Sequence, residues 1–420
     1  MGGFVFIGDY VYMTNSETKG FELTPSQENA LKEIKAFLHN NHETCICLSG
    51  SPGTGKSFFI NECIPTLVPL EPSVYIKPNS INKLLVLTAT TNKAAAVIGG
   101  VTVHNYFGIK LQNDYTTGKT SYNLDKCKFH SDNVIVIDEA SMLDAELWDI
   151  ILYNSSNCKF ILVGDMYQLP AVGANADVFN KYRVVELTDV VRQKDPTFLN
   201  AIATAKEGVL QKTILDLPDS PCIKYKTLAD KEELIEYFTT FNPSTDKVLC
   251  YTNEAAVYYN HCIRKLQNKT DDLYAGDLVT SRSFVSQCGE TIHIEDVLRI
   301  ESISEPRIIS FYGYQLSIRD VTFKNKVKKY MVANSWQEFA ALLKIIAKNK
   351  KWRAYFYFKD TVLDLRSIEA CTVHCSQGST YERVFIDYND LMKCKAHSIK
   401  SRLFYVALSR AKHEVIIFKE

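Results

Sequence analysis

Thr44-Cys-Ile-Cys-Leu-Ser49, followed at once by Gly50-Ser-Pro-Gly53-Thr-Gly55-Lys56-Ser57, decides the fold of this chain. A short apolar run of this kind reads as a strand buried on both faces. It leads into a turn of the form G-x-x-x-x-G-K-[ST], and Ser57–Cys63 beyond it is helix-compatible. Glycines let successive backbone N–H groups turn inward around a phosphate, and the start of the helix adds its positive end. Gly50, Ser51, Pro52, Gly53, Thr54, Gly55, Lys56 and Ser57 are thus candidate contacts for ATP, with Lys56 on the β- and γ-phosphates and Ser57 on Mg2+.

Working outward, short apolar runs alternate with helix-compatible stretches. Leu84–Thr88, Val134–Asp138 and Phe160–Gly164 read as buried strands, with Gln27–His39, Asn92–Ile98 and Ala145–Tyr153 as helices. Such alternation predicts a parallel sheet with helices on both faces and ligands at the carboxyl ends of the strands. The run Val134-Ile-Val-Ile-Asp138-Glu139 delivers Asp138 to that edge as a second Mg2+ ligand. Glu139 follows, placed to orient or deprotonate an attacking water. Beyond about residue 190 the rhythm repeats, with strands at Lys247–Tyr251, Val384–Asp387 and Val415–Phe418 and helices at Glu254–Leu266 and Ser401–Ser409. An interruption at about 275–365 consists of short strands and turns. It includes a helix, Trp336–Ala347, opened by the capping box Ser335-x-x-Glu338 and carrying a core-facing stripe of Phe339, Leu342, Leu343 and Ile346.

Composition sets the bounds. The chain has 420 residues, 46% apolar and 23% charged, enough for more than one hydrophobic core. Lys+Arg and Asp+Glu are 48 each, which argues against a binder driven by bulk charge. That balance conceals segregation: residues 1–320 carry a net −10, residues 321–360 a net +8 and residues 361–420 a net +2. The basic block is Lys324, Lys326, Lys328, Lys329, Lys344, Lys348, Lys350, Lys351 and Arg353, readable either as a solvated face or as a contact for nucleic acid or a partner. No run reaches the ~18 apolar residues of a membrane span. The apolar segment Phe4–Met13, broken by Asp9, lacks the basic leader of a signal peptide. The twelve cysteines are expected to be reduced thiols of an intracellular protein. The cluster Cys371-Thr-Val-His374-Cys375 lacks a second ligand pair at the spacing zinc requires.

Further motifs bring in a family. Thr24-Pro-Ser-Gln27, Ala89-Thr-Thr91-Asn92, Thr102-Val-His104-Asn105, Gly164-Asp165-Met-Tyr-Gln168-Leu169-Pro170, Leu187-Thr-Asp-Val-Val-Arg192-Gln193, Thr372-Val-His374-Cys-Ser-Gln377-Gly378 and Tyr405-Val-Ala-Leu-Ser409-Arg410-Ala411 run in the order of the motifs of superfamily 1 helicases. Together with the phosphate loop and Asp138-Glu139 they span residues 24–411. The chain resembles the 1B, RecD-like branch, particularly compact phage Dda-type DNA helicases. The resemblance implies an α/β fold of two RecA-like P-loop domains with parallel sheets, preceded by an N-terminal extension at 1–20. Domain 1A would cover 21–190 and domain 2A would cover 191–274 and 366–420. A β-hairpin pin (1B) at about 108–124 and an SH3-like β-rich domain 2B at 275–365 would be insertions.

The same resemblance assigns roles. Lys56, Asp138, Glu139, Gln168, Arg192 and Arg410 would be catalytic, the two arginines reaching the γ-phosphate across a closing cleft. Gln27 would bind adenine, and Gln377 and Gly378 would join the ATP site. Thr91, Asn92, Thr102, His104, Thr252, Asn253, Thr372 and His374 would hold single-stranded DNA. Tyr115 or Tyr122 would be the wedge at a duplex fork. ATP and Mg2+ are the implied cofactors, and translocation would run 5′→3′. A monomer working in the cytoplasm or nucleoid of a host cell, open to phage origin, is expected to meet replication or recombination proteins and no membrane. An RNA-directed helicase of the same superfamily and a nucleotide-gated scaffold or loader are the alternatives.

Overall fold

In the computed structural model, residues 22–68, 84–170, 178–191, 195–218, 220–227, 231–270, 272–287 and 289–419 are described, together with the backbone of an antiparallel strand pair, Gly3–Ile7 and Tyr10–Thr14. Side chains of 231–234 are not included.

The first sheet is wholly parallel. Its six strands lie in the order Val184–Leu187, Cys45–Gly50, Lys159–Gly164, Asn133–Asp138, Leu84–Ala89, Val101–Thr102. Alternation along the strands divides the core into two layers. Ile46, Leu48, Val134, Val136, Ile161 and Val163 face the helix Pro25–His39, while Cys45, Cys47, Ile135, Ile137, Phe160 and Leu162 face Trp148 and Ile151 of the helix Ala145–Tyr153. Cys45 and Cys47 are thus small core residues, and burial pushes the Cys45 thiol pKa up.

The second sheet, also parallel, runs Ile223–Lys226, Ala411–Phe418, Tyr381–Asp387, Asp246–Cys250, Ala370–Thr372. One face packs Leu249, Val384, Ile386, Val415 and Ile417 against the helices Pro196–Leu210 and His397–Ser409. The other packs Val248, Cys250, Phe385, Ile416 and Phe418 against the helix Asn253–Leu266. Tyr167 and Leu169, from the loop after strand Lys159–Gly164 of the first sheet, are buried in the core of the second. The two units therefore share apolar contact as well as a cleft.

Between Leu278 and Ser367 the chain builds a third, mainly antiparallel sheet with a register shift between Ile300 and Ser302. Two helices, Trp336–Lys348 and Trp352–Thr361, cover it. Ser335 Oγ accepts from Glu338 N at 3.3 Å, and Phe339 and Ile346 are buried with Leu342 and Leu343 half-buried beside them, as the stripe predicts. The hairpin also forms: Lys110–Asn113 pairs with Thr120–Asn123. Its tip leans on the insertion. Tyr115 meets Phe356 edge-on at 5.5 Å, and Gly118, at φ +73°, lies so close that a Cβ would stand 2.4 Å from the Trp352 ring.

One segment departs from expectation. Ser57–Cys63 is not a regular α-helix: a single turn, Lys56–Phe58, passes into π-helix over Phe59–Cys63 and then into 3-10 helix at Ile64–Thr66. Pro65 has no N–H to continue an α ladder, and π turns of this kind gather at functional sites.

A buried Arg264 fastens the insertion to the second domain. Its guanidinium donates to Thr270 O and Asp272 O, both at 2.8 Å, and to Asp277 Oδ2 at 3.0 Å, with Glu369 3.9 Å away. Residues flanking both ends of the inserted sheet thus converge on one cation. Arg264→Ala would leave Asp277 and Glu369 without their counter-charge and is expected to lower unfolding stability by roughly 3–5 kcal/mol in chemical denaturation. Arg264→Lys, lacking the planar fork, should recover only part of it.

Candidate nucleotide cleft and nucleic-acid track

The phosphate loop follows strand Cys45–Gly50 and adopts the geometry its glycines allow. Gly55 has φ +85°, and a Cβ there would also meet Gln27 Nε2 at 2.8 Å, so both conformation and space require glycine. Lys56 Nζ donates to Gly50 O at 2.6 Å and Ser51 O at 3.2 Å, holding the amine over the loop. Gln27, buried at the third position of the helix Pro25–His39, donates through Nε2 to Thr54 O at 3.1 Å and closes a capping box with Thr24. The upstream glutamine is thereby fixed against the loop's flank.

Strand Asn133–Asp138 places Asp138 at the carboxyl edge beside that loop. Burial, and next the carboxylate of Glu139, push the Asp138 carboxyl up to about 6, against a bond from Glu139 N at 2.9 Å and the charge of Lys56. Two adjacent carboxylates with this little neutralisation fit a divalent cation, and the Ser57 side chain, half-buried on the loop, offers a further oxygen. Glu139 has φ +52°, a conformation uncommon for a residue with a side chain and met at functional sites. Gln168 is 3% exposed, and its Nε2 donates to Asp165 Oδ2 at 3.3 Å. Its Oε1 is buried with no hydrogen-bond partner, an acceptor left for a water or ligand in the cleft.

The opposite wall comes from the helix His397–Ser409. Arg410, at its end, is 4% exposed and among the described residues bonds only neutral groups: Val406 O, Ser379 O and Ser409 Oγ. Burial lowers its pKa, countered by Glu139 and then Asp165 across the cleft. Gly378 of the same wall lies near Glu139, where a Cβ would come within 3.9 Å of Oε1. Gln377 Nε2 reaches Leu169 O at 3.3 Å. Arg192 lies outside the described residues; its neighbour Val191 donates from N to Gly53 O at 2.8 Å.

Three cross-cleft residues escaped the sequence reading. Tyr405 OH donates to Asp165 Oδ2 at 2.8 Å and lies 3.0 Å from Ser51 Oγ, so a side chain of the second domain touches the phosphate loop itself. Arg402 grips Met166 O and Gln168 O at 2.6 and 2.5 Å, and Lys93 Nζ meets Ser379 Oγ at 2.5 Å. Tyr405 stood inside a recognised motif; Arg402, one turn earlier on the same helix, was legible only by helical spacing.

The residues expected to hold nucleic acid share one design. Thr91, Thr102, Thr252 and Thr372 each end or follow a strand at its carboxyl edge and each stands at the N-cap of the next helix. The hydroxyls of the first three accept from Ala94 N, Asn105 N and Ala255 N, all at 3.2 Å. Thr252 is held further by Asp390, which accepts from its hydroxyl at 2.8 Å and from its N–H at 2.7 Å. Thr372 is buried, with its Oγ1 3.1 Å from Cys375 Sγ. Asn92 is exposed and lies 3.0 Å from His293 of the insertion, and Asn253 is exposed at the start of its helix. His104 and His374 are half-buried, and burial lowers both pKa values from 6.5. They are therefore neutral near pH 7, able to hydrogen-bond a phosphate without a permanent ion pair. Tyr122 sits deeper than a wedge at the tip: its OH donates to Asp144 Oδ2 at 2.7 Å and its ring packs against the core, whereas Tyr115 is 53% exposed at the turn.

The chain is similar to known proteins in both sequence and fold. Residues 22–226 match the AAA domain family and residues 367–418 the UvrD-like helicase C-terminal domain. Campylobacter jejuni ATP-dependent DNA helicase Pif1 is 23% identical over 407 residues, covering 87% of this chain and 86% of that protein. An uncharacterized protein of Acanthamoeba polyphaga mimivirus is 22% identical, covering 92% of this chain and 97% of its own. In fold, the chain resembles a Pif1 helicase solved in a study of unwinding at forked double-stranded DNA, with TM-score 0.51, 17% identity, and 95% and 92% of the two chains covered. Among the described residues, no helix is long and apolar enough to cross a membrane.

The cleft has a pH signature. The folded Asp138 value of about 6 exceeds its ordinary 3.8, so folding disfavours the ionised form and protonation between those values stabilises the protein. With Asp138 as the expected Mg2+ ligand, the same proton would remove it from the metal. Apparent Mg2+ affinity should therefore fall roughly tenfold per unit as pH drops below about 6, while thermal stability does not fall in parallel through this group. Isothermal titration at pH 5 to 8 with a thermal melt at each pH checks both signs.

Proposed function

We propose that this protein is an ATP-driven DNA helicase that steps along a single strand in the 5′→3′ direction and opens the duplex ahead of it. The observation that carries the reading is the two-sided nucleotide cleft: Lys56, Asp138, Glu139 and Gln168 on one domain face Arg410 and Tyr405 on the other. The similar proteins named as ATP-dependent DNA helicases support DNA as the track.

Each group has a task in phosphoryl transfer to water. Lys56 swings from the carbonyls of Gly50 and Ser51 to the β- and γ-phosphates. Ser57 and Asp138 would hold Mg2+, which when bound supplies positive charge to the phosphate oxygens. Glu139 takes the proton of the attacking water, and Gln168 Oε1 accepts from that water or from the γ-phosphate's ligands. Arg410, with Arg192 as its proposed partner, neutralises the charge that develops as the bond breaks. Gln27 reads the adenine edge.

The track is coupled to this chemistry through short paths of chain and hydrogen bonds. Thr90, next to Thr91, donates from Oγ1 to Glu139 O at 3.0 Å and from N to Asp138 O at 3.1 Å. On the other domain, seven residues from Thr372 to Gly378 join the strand contact to the cleft wall. Neutral hydroxyls, amides and imidazoles give phosphate contacts that form and break at each step. The insertion is taken as the SH3-like 2B domain of the superfamily, and Tyr115 as the aromatic residue nearer the fork. A monomer suffices for this cycle.

Duplexes with a 5′ or a 3′ single-stranded tail test the reading directly. The 5′-tailed duplex should be unwound with ATP and Mg2+, and the 3′-tailed one spared. Lys56→Ala should lower turnover by at least about a hundredfold. Unwinding from the 3′ tail would reverse the polarity; unwinding of tailed RNA but not DNA would make it an RNA-directed enzyme.

A further inference from the structure

The C-terminal part of the basic block in the insertion is exposed and has no use in the cleft. Lys344 and Lys348 lie one turn apart on the helix Trp336–Lys348, and Lys350, Lys351 and Arg353 follow in the turn and at the start of the helix Trp352–Thr361; all five are exposed. None of them forms an ion pair among the described residues. Other basic side chains of the protein are neutralised, as Arg264, Arg307, Arg366 and Arg383 are. The arrangement also works against local stability, because Lys351 stands at the start of its helix, which has no acidic residue in its first turn and no side-chain cap. A charge kept where it opposes the helix and lacks a partner points outward, to a polyanion.

Position selects the polyanion. Trp352, in the midst of these cations, is the residue on which Gly118 of the hairpin rests; Tyr115 packs on Phe356, and Asn113 Nδ2 lies 3.4 Å from Asp360 Oδ2. Lys119, next to Gly118, is exposed and extends the basic surface onto the hairpin. The patch is thus fixed to the tip of the proposed pin, whereas the threonine caps that hold the single strand lie on the tops of the two parallel sheets.

We infer that the surface formed by Lys344, Lys348, Lys350, Lys351, Arg353 and Lys119 holds the phosphate backbone of the duplex immediately ahead of the point of separation. This rests on the helicase reading and assigns to that reading a second, electrostatic DNA site that is separate from the track. The duplex is kept in line with the pin by charge, while the track contacts stay weak enough to release at each step. Charge placed off the track holds the fork without slowing the motor on its strand.

The test uses the full chain carrying Lys344→Gln, Lys348→Gln, Lys350→Asn and Lys351→Gln together; asparagine suits position 350, where φ is +54°. A companion replaces the same four lysines by arginine, keeping the charge. Binding of a 5′-tailed fork and of the tail oligonucleotide alone is measured across a salt series. The neutral variant should bind the fork about tenfold or more weakly, with the slope of log affinity against log salt reduced by about 2 to 4, since each lost phosphate contact contributes roughly 0.9. Its affinity for the tail alone and its turnover on the tail should match the parent, and the arginine variant should restore the fork slope. An unchanged fork slope, or an equal loss on fork and tail, overturns the inference. A parent whose ATP turnover ignores DNA would overturn the helicase reading instead, and that outcome is visible before any variant is made.

Discussion

A guanidinium buried among neutral groups is the constraint on which the rest of the arrangement depends. Arg410 is held by Val406 O, Ser379 O and Ser409 Oγ, and no carboxylate among the described residues pairs with it. An uncompensated buried cation is expensive, and the carboxylates that offset it, Glu139 and Asp165, belong to the other domain. The second domain therefore carries a charge whose stabilisation requires the first. In the proposed cycle, closing the cleft around phosphate would relieve both sides at once: the γ-phosphate would bring the negative charge Arg410 lacks, and a metal would add to the charge that Lys56 already sets against Asp138. Tyr405 and Arg402 set the register in which this happens, through Asp165, Ser51 and the loop carbonyls of Met166 and Gln168.

Seen this way, the two parallel sheets are a means of bringing loop ends together. Most residues assigned to the strand or to the nucleotide lie at or near a carboxyl strand edge or a helix start, where unpaired backbone N–H groups face outward, while Arg410 comes from the end of the helix His397–Ser409. Neighbouring strands Leu84–Ala89 and Asn133–Asp138 put Thr91 and Asp138 on adjacent edges, so a shift of one is felt by the other through Thr90. The insertion is tied to the second domain by Arg264 and to the hairpin by the contacts at its tip.

Much of this was legible in the sequence where backbone chemistry forces residue type. Gly55 could be read because no other residue adopts its φ beside Gln27, and Asp138 because a run of β-branched residues buries the strand that ends in it. The threonine caps were legible as motif positions, and their capping hydrogen bonds explain why a short hydroxyl recurs there. Edge strands were harder: Ile223–Lys226 and Val184–Leu187 have four residues each, mix lysine or glutamate with apolar residues, and are defined by their neighbours. The π-helical turn at Phe59–Cys63 carries an ordinary helical composition. Contacts made only across the cleft, such as Lys93 with Ser379, leave no local pattern at all. Arg192 was named from its motif and lies outside the described residues. Net charge misled as a sum and informed only once divided, because the basic block is confined to one inserted unit.

In the proposed cycle hydrolysis depends on closure and closure on the strand, so the decisive measurement is ATP turnover with and without a single-stranded oligonucleotide, for the parent and for Arg410→Ala. The parent should turn over slowly alone and at least tenfold faster with DNA. Arg410→Ala should still bind nucleotide yet lose about a thousandfold of the stimulated rate. Rapid turnover that DNA does not change, or a stimulated rate that survives Arg410→Ala, would contradict the account.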